Sequence, residues 1–166
     1  MTTGLRILIV GGYGIFGGRL VELLENEPRL TLFVGGRSAA KAESFISSRT
    51  GAKARLIAAA LDRDGNLDVQ LSAIAADLVV DASGPFQNYG DRPYRLVEAC
   101  IRHGINYLDL ADGSDFVTGI CAYDKQAQDK GIFILSGVSS FPVLTAAAVR
   151  RLCADATVVT AIRGGI

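Results

Sequence analysis

The sequence predicts an α/β fold, a doubly wound parallel sheet with helices on both faces. Three observations carry the prediction. Short β-rich runs alternate with stretches of helical periodicity along most of the chain. The strand-like runs, residues 78–82 above all, are continuous in apolar character, as strands buried on both faces are. The first strand runs into a glycine-rich turn that opens the first helix. An alternation of this kind builds a parallel sheet, and its crossovers are right-handed.

The elements follow in order. Leu5–Val10 is an apolar run ending in Gly11-Gly12. Residues 16–26 then show helical spacing through Leu20, Val21, Leu23 and Leu24, with Pro28 just beyond. Residues 30–35 form the second strand. Ser38 can cap a helix reaching Arg49, with Gly51 as its stop signal. Residues 54–60 are a third strand, 68–75 a short helix and 78–82 a fourth strand. The segment 83–90 is rich in turn formers. Residues 92–103 read as a helix with Gly104 at the position after its end. Residues 106–110 are the fifth strand. A helix through 121–130 ends at Gly131, 132–136 are the sixth strand, and Pro142 starts a last helix reaching Cys153. Six strands in this pattern predict a three-layer αβα Rossmann fold with strand order 3-2-1-4-5-6. Its ligand crevice lies above strands 1 and 4.

This domain is expected to cover residues 1–154. Residues 157–162 look like the start of a further strand, and residues 155–166 are expected to open a second, C-terminal domain that continues past this sequence. A hydrophobic content of 49% fits a surface made to be covered by such a domain.

The 166 residues suffice for one domain with a sizeable core. The formal net charge is zero, so nucleic acid is not an expected partner. No apolar run is long enough to span a bilayer, and Met1-Thr2-Thr3-Gly4 has no signal-peptide character. A cytoplasmic protein is expected. Cys100, Cys121 and Cys153 fit neither a zinc pattern nor a redox pair, so no metal is expected and the thiols are read as reduced and packed.

Function enters with Gly12-Tyr13-Gly14-Ile15-Phe16-Gly17. A G-x-G-x-x-G between a strand and a helix is the dinucleotide fingerprint. Gly12 is read as permitting the tight turn, Gly14 the close approach of a pyrophosphate, and Gly17 the packing of helix on strand. Free N–H groups and the positive end of the helix dipole then face the phosphates.

An NAD site usually carries an acidic residue about 20 residues further on. Here that position lies in Val34-Gly35-Gly36-Arg37-Ser38, and no carboxylate occurs between Glu27 and Glu43. Arg37 offers a planar donor fork for a phosphate. Ser38 adds a hydroxyl and a helix N-terminus, and Lys41 lies one turn on. NADP is therefore expected in preference to NAD. Asp62, after the third strand, is placed to accept from the adenine amino group or to stand as a plain loop carboxylate; both readings stay open. Ser83, Gly84, Pro85 and Phe86 follow strand four and are expected beside the nicotinamide, with Phe86 also readable as a core residue.

Several segments together resemble the saccharopine dehydrogenase-like oxidoreductases. They are the glycine loop, Val34-Gly35-Gly36-Arg37-Ser38, Ser83-Gly84-Pro85-Phe86-Gln87-Asn88-Tyr89-Gly90, Glu98-Ala99-Cys100, Asn106-Tyr107-Leu108-Asp109-Leu110 and Ser136-Gly137-Val138-Ser139-Ser140-Phe141-Pro142. The resemblance implies an N-terminal NAD(P)-binding domain followed by a substrate and dimerisation domain, hence a homodimer through that second part. It leaves the small-molecule substrate open. No residue is assigned a catalytic role. His103, before Gly104, reads as a helix C-terminal residue favoured by the dipole. Tyr107 reads as core. Asp109 and Asp112 follow strand five toward the ligand edge, and Asp112 reads as a turn carboxylate before Gly113 or as a group that orients substrate or accepts a proton.

Short-chain dehydrogenases and related epimerases use a Tyr-x-x-x-Lys pair, and no tyrosine here has a lysine four residues later. A non-catalytic NADP-binding sensor is compatible with the glycine loop, because holding a cofactor does not by itself mean turnover.

Overall fold

The structure, a computed structural model, describes residues 4–162, apart from the side chains of residues 140–142. Its sheet contains β1 (Leu5–Val10), β2 (Leu30–Gly36), β3 (Arg55–Ala60), β4 (Leu78–Asp81), β5 (Asn106–Asp109) and β6 (Ile134–Leu135). Their order is β3-β2-β1-β4-β5-β6, and every pairing is parallel. The expected Rossmann topology is the observed one.

The apolar strands are sandwiched, and alternate residues feed two cores. On one face Leu8, Val10, Phe33, Val79 and Tyr107 pack with Leu71 of α3 (Leu67–Ile74) and with Leu96, Val97 and Cys100 of α4 (Arg95–His103). On the other, Ile7, Ile9, Leu32, Val34 and Val80 meet Val21 of α1 (Ile15–Leu24) and Ala42 of α2 (Ala39–Ser47). Register places β1 between β2 and β4, with Val10 opposite Gly35 on one side and Asp81 on the other. The chain therefore reverses direction of winding at β1, and the cleft opens there.

Element ends differ from the sequence expectation for local reasons. α4 starts at Arg95 rather than 92, because residues 91–94, which include Pro93, form turns. It ends as expected at Gly104, whose φ of +66° lets its N–H reach back to Ile101 O. The sixth strand shrinks to two residues, since among the described residues it is an edge strand paired only with β5. The helix expected over 121–130 is in fact two pieces, a 3₁₀ turn (Ile120–Tyr123) and α6 (Asp124–Asp129), and a short helix that the sequence did not suggest, α5 (Ser114–Gly119), precedes them. The last helix, α7, spans Ser140–Leu152.

Two expectations are corrected. Residues 157–162 form no strand; they are irregular and exposed, with no partner strand beside them among the described residues. The expected packing of all three thiols holds only for Cys100, which is buried, whereas Cys121 is exposed and Cys153 half-buried at the end of α7. Residues 1–3 and 163–166, which the sequence assigns to the first strand's approach and to the second domain, lie outside the described residues.

Candidate functional site

A cleft of about 1050 Å³ runs along the C-terminal ends of the strands. Its walls come from the β1–α1 turn, the end of β2, the loop after β3 and the loop after β4. This is the switch point, where open α/β sheets bind ligands.

The glycine turn divides the work differently from the sequence reading. The sharp turn falls on Gly11, whose φ is +77° and where a Cβ would lie 2.9 Å from Ala82 O. Gly12 is buried instead, wedged so that a Cβ would meet Ile9 O at 2.8 Å and Val34 Cα at 3.1 Å. Gly17 sits where a Cβ would collide with Gly11 O, which brings α1 against the turn. Gly14 faces the cleft, with only Gly11 O near its missing Cβ, at 3.1 Å. Gly14 is also the N-cap of α1, and no side chain among the described residues caps that helix. The first hydrogen bond of the helix is Gly18 N–H to Gly14 O, so the N–H groups of Ile15, Phe16 and Gly17 are left for a ligand. By contrast, Ser38 caps α2 by accepting from Lys41 N–H at 3.3 Å, and Asn66 caps α3 by accepting from Val69 N–H at 3.2 Å. An uncapped, glycine-lined helix start in a cleft is the donor set a pyrophosphate requires.

At the end of β2, Arg37 is exposed, lines the cleft and forms no ion pair among the described residues. Ser38 and the exposed Lys41 stand beside it, outside the lining. Tyr13 reaches across from the glycine turn, and its hydroxyl accepts from Ser38 N–H at 3.1 Å. The ring lies over Gly36, where a Cβ would be 2.5 Å from the hydroxyl oxygen. Asp62 lines the cleft and is exposed, with Oδ1 accepting from Asp64 N–H at 3.1 Å. Both open readings of that carboxylate are compatible with this position.

The opposite wall is a packed polar network that sequence reasoning did not find. Asp81, fully buried at the end of β4, accepts from Ser83 N–H at 3.0 Å and from Ser83 Oγ–H at 2.6 Å. Its other oxygen pairs with the Arg63 guanidinium. That guanidinium lies 3.5 Å from the centroid of the Tyr89 ring and donates to Pro93 O at 3.3 Å. Ser83 Oγ and the Tyr89 hydroxyl are 3.0 Å apart. Ser83 has a single proton and gives it to Asp81, so the Tyr89 hydroxyl is the donor in that contact. Burial and the nearby Asp81 charge raise the Tyr89 pKa, so the phenol stays protonated. Ser83, Gly84 and Pro85 line the cleft. Phe86 is buried against Tyr89 and Phe116, with centroids 5.0 and 5.1 Å away, and anchors the loop.

The other acids separate. Asp109 is fully buried beside Asp81 across the β4–β5 ladder. Its Oδ1 accepts from Ala111 N–H, Ser136 Oγ–H and Gly137 N–H at 2.8–3.0 Å, tying β5 to the loop after β6. Burial raises its pKa against those bonds, and Asp81 adds to the rise. Asp112 is exposed in the cleft and accepts from Gln87 Nε2 at 2.9 Å. Tyr107 is core, as expected. His103 contacts Asp68 at 3.0 Å, away from the cleft.

Among the described residues no cluster could hold a metal ion, and no helix is long and apolar enough to cross a membrane. A family model described as the saccharopine dehydrogenase NADP binding domain matches residues 7–135. No curated protein matches the chain. Among solved structures, GenD2 from gentamicin A biosynthesis, in complex with NAD, is 23% identical, with a TM-score of 0.54 over 91% of this chain and 41% of that one. AtPrR2 with NADP+ and (+)pinoresinol is 20% identical, with a TM-score of 0.56 over 82% of this chain and 50% of that one. A hydroxysteroid dehydrogenase from Escherichia coli is 11% identical, with a TM-score of 0.62 over 80% of this chain and 73% of that one. At these identities the likeness is one of fold. The chain spans half or less of the length of the first two.

Proposed function

The chain belongs to the family of saccharopine dehydrogenase NADP-binding domains, and from that premise we propose that it is the NADP-binding half of an oxidoreductase acting on a small-molecule substrate. The single observation that carries the choice of NADP is Arg37, an exposed arginine without an ion pair among the described residues, in the cleft where NAD sites place a carboxylate.

The cradle fits the cofactor. The N–H groups of Ile15, Phe16 and Gly17 would hold the pyrophosphate, with Gly14 letting it approach. Arg37, supported by Ser38 and Lys41, would hold the 2′-phosphate, and Asp62 flanks the adenine side. Ser83, Gly84 and Pro85, stiffened from below by Asp81, Arg63 and Phe86, would border the nicotinamide. NADP(H) bound there would give a hydride to the substrate or take one from it. The chain's own part is to bind, to orient and to exclude water, as is usual for cofactor enzymes.

In this reading residues 1–154 form the cofactor domain and residues 155–166 lead into a substrate and dimerisation domain. The substrate site is completed by that second part, so this chain alone binds cofactor weakly and turns nothing over. The free thiols suit a reducing, cytoplasmic setting. Membership of an oxidoreductase family tells against the non-catalytic sensor.

Titration with NADPH and NADH tests the proposal. NADPH is expected to bind more tightly, and Arg37→Glu to weaken NADPH by at least about 1.5 kcal/mol, roughly tenfold, while sparing NADH. Equal affinities in the unaltered chain would refute NADP specificity.

A further inference from the structure

The geometry points to the Tyr13 hydroxyl as a direct hydrogen-bond donor to the 2′-phosphate, making Tyr13 a specificity-determining residue and not only part of the glycine turn. The inference rests on the NADP reading above.

A tyrosine hydroxyl has one proton and two lone pairs. In this structure one lone pair is taken by Ser38 N–H at 3.1 Å. That bond fixes the oxygen next to Arg37, the residue proposed to meet the phosphate. The hydroxyl proton has no acceptor among the described residues, and Tyr13 lines the same cleft as Arg37 and Gly36. Ser38 N–H is already spent on Tyr13, so the start of α2 presents a hydroxyl proton to the cleft in place of that backbone donor.

The arrangement is held from below as well. Gly36 leaves room for the ring, because a Cβ there would lie 2.5–2.6 Å from three Tyr13 atoms. The oxygen is thus pinned by a hydrogen bond on one side and by ring packing on the other, a preorganised donor. Its discrimination follows from charge. A hydrogen bond to a phosphate oxygen is about twice as strong as one to the neutral ribose hydroxyl that NAD presents at this position.

Calorimetric titration of the chain and of Tyr13→Phe with NADP+, NAD+, 2′,5′-ADP and 5′-AMP tests the inference. The expected result is a loss of about tenfold for the two ligands bearing the 2′-phosphate, and less than about twofold for the other two. Equal weakening of all four ligands, or no change in any, would show that Tyr13 only shapes the loop, and the proposal would fall while NADP specificity stood. If the unaltered chain shows no preference for the 2′-phosphate and Arg37→Gln changes nothing, the NADP reading fails and takes this inference with it. A second measurement does not depend on how the variant folds. In the unaltered chain the Tyr13 ring Cζ resonance is expected to shift on adding 2′,5′-ADP and not on adding 5′-AMP; equal shifts overturn the inference.

Discussion

On the β1–β2 side of the cleft the chain has removed side chains, and on the β4–β5 side it has packed them in. The first wall is glycine and backbone: Gly11, Gly12 and Gly17 bring main-chain atoms together at distances no Cβ would allow, and Gly14 leaves the start of α1 bare toward the cleft. The second wall is Asp81, Arg63, Ser83 and Tyr89, locked by charge and hydrogen bonds over an aromatic base of Phe86 and Phe116. The difference matches the partners proposed for each. A pyrophosphate needs bare N–H groups and close approach. A reactive ring needs a wall that does not move, and side-chain networks supply stiffness when every member is satisfied.

The comparison can be broken in three places. The largest effect is expected on the bare wall. Gly17→Val forces a branched side chain into Gly11 O and is expected to cost about 4 kcal/mol, or to prevent folding, because backbone on both sides cannot yield. A variant with an unchanged denaturation midpoint and unchanged NADP+ binding would mean that the close packing of α1 on the turn is not required.

A somewhat smaller effect is expected on the packed wall. Arg63→Met removes the partner of a fully buried carboxylate, and about 3 kcal/mol of stability should be lost. Here the protein is expected to fold, with residues 83–89 becoming a site of proteolytic cleavage. If stability falls by less than about 0.5 kcal/mol, roughly the effect of an ordinary surface change, the network is not what stiffens that loop.

The smallest effect is a pH dependence confined to the packed wall. Asp109 holds its proton more tightly in the folded chain than in the unfolded one, chiefly through burial. The native state therefore binds more protons than the unfolded state above the ordinary carboxylate pKa. Stability from this group is present at low pH and declines as pH rises toward the raised value. Urea midpoints between about pH 4 and about pH 7 should fall with a slope that Asp109→Asn flattens. An identical slope in the variant would place the titration elsewhere. Asp68, whose pKa is lowered by Arg102 and His103, contributes a slope of the opposite sign only at more acid pH, below its ordinary value, and is unaffected by that substitution.

Much of this was legible in the residues. The strand order, the strand–turn–helix setting of the glycine loop and the missing acid near Arg37 all follow from periodicity and spacing, which are local properties. Asp81 and Arg63 were not legible, because 18 residues separate them and nothing in either neighbourhood marks the pair. The spacing places the turn at Gly12, whereas the positive φ belongs to Gly11. Two adjacent glycines look alike in a sequence, and only the packing of the turn on Ala82 distinguishes them. Gly36 gave no signal either, since its reason is a tyrosine ring 23 positions away along the chain. The segment 157–162 misled for the converse reason. Its β-branched residues favour a strand, but a strand needs a neighbour, and among the described residues none is offered.

The sequence by itself determined the class of fold, the place of the cleft and the glycine-lined character of its first wall, because hydrophobic period, helix start signals and glycine placement act over a few residues. Only the tertiary structure decided which donors remain free, which carboxylates are buried and what stiffens the second wall. Those properties depend on which distant residues meet when the sheet closes, and burial and hydrogen-bond satisfaction exist only once it has.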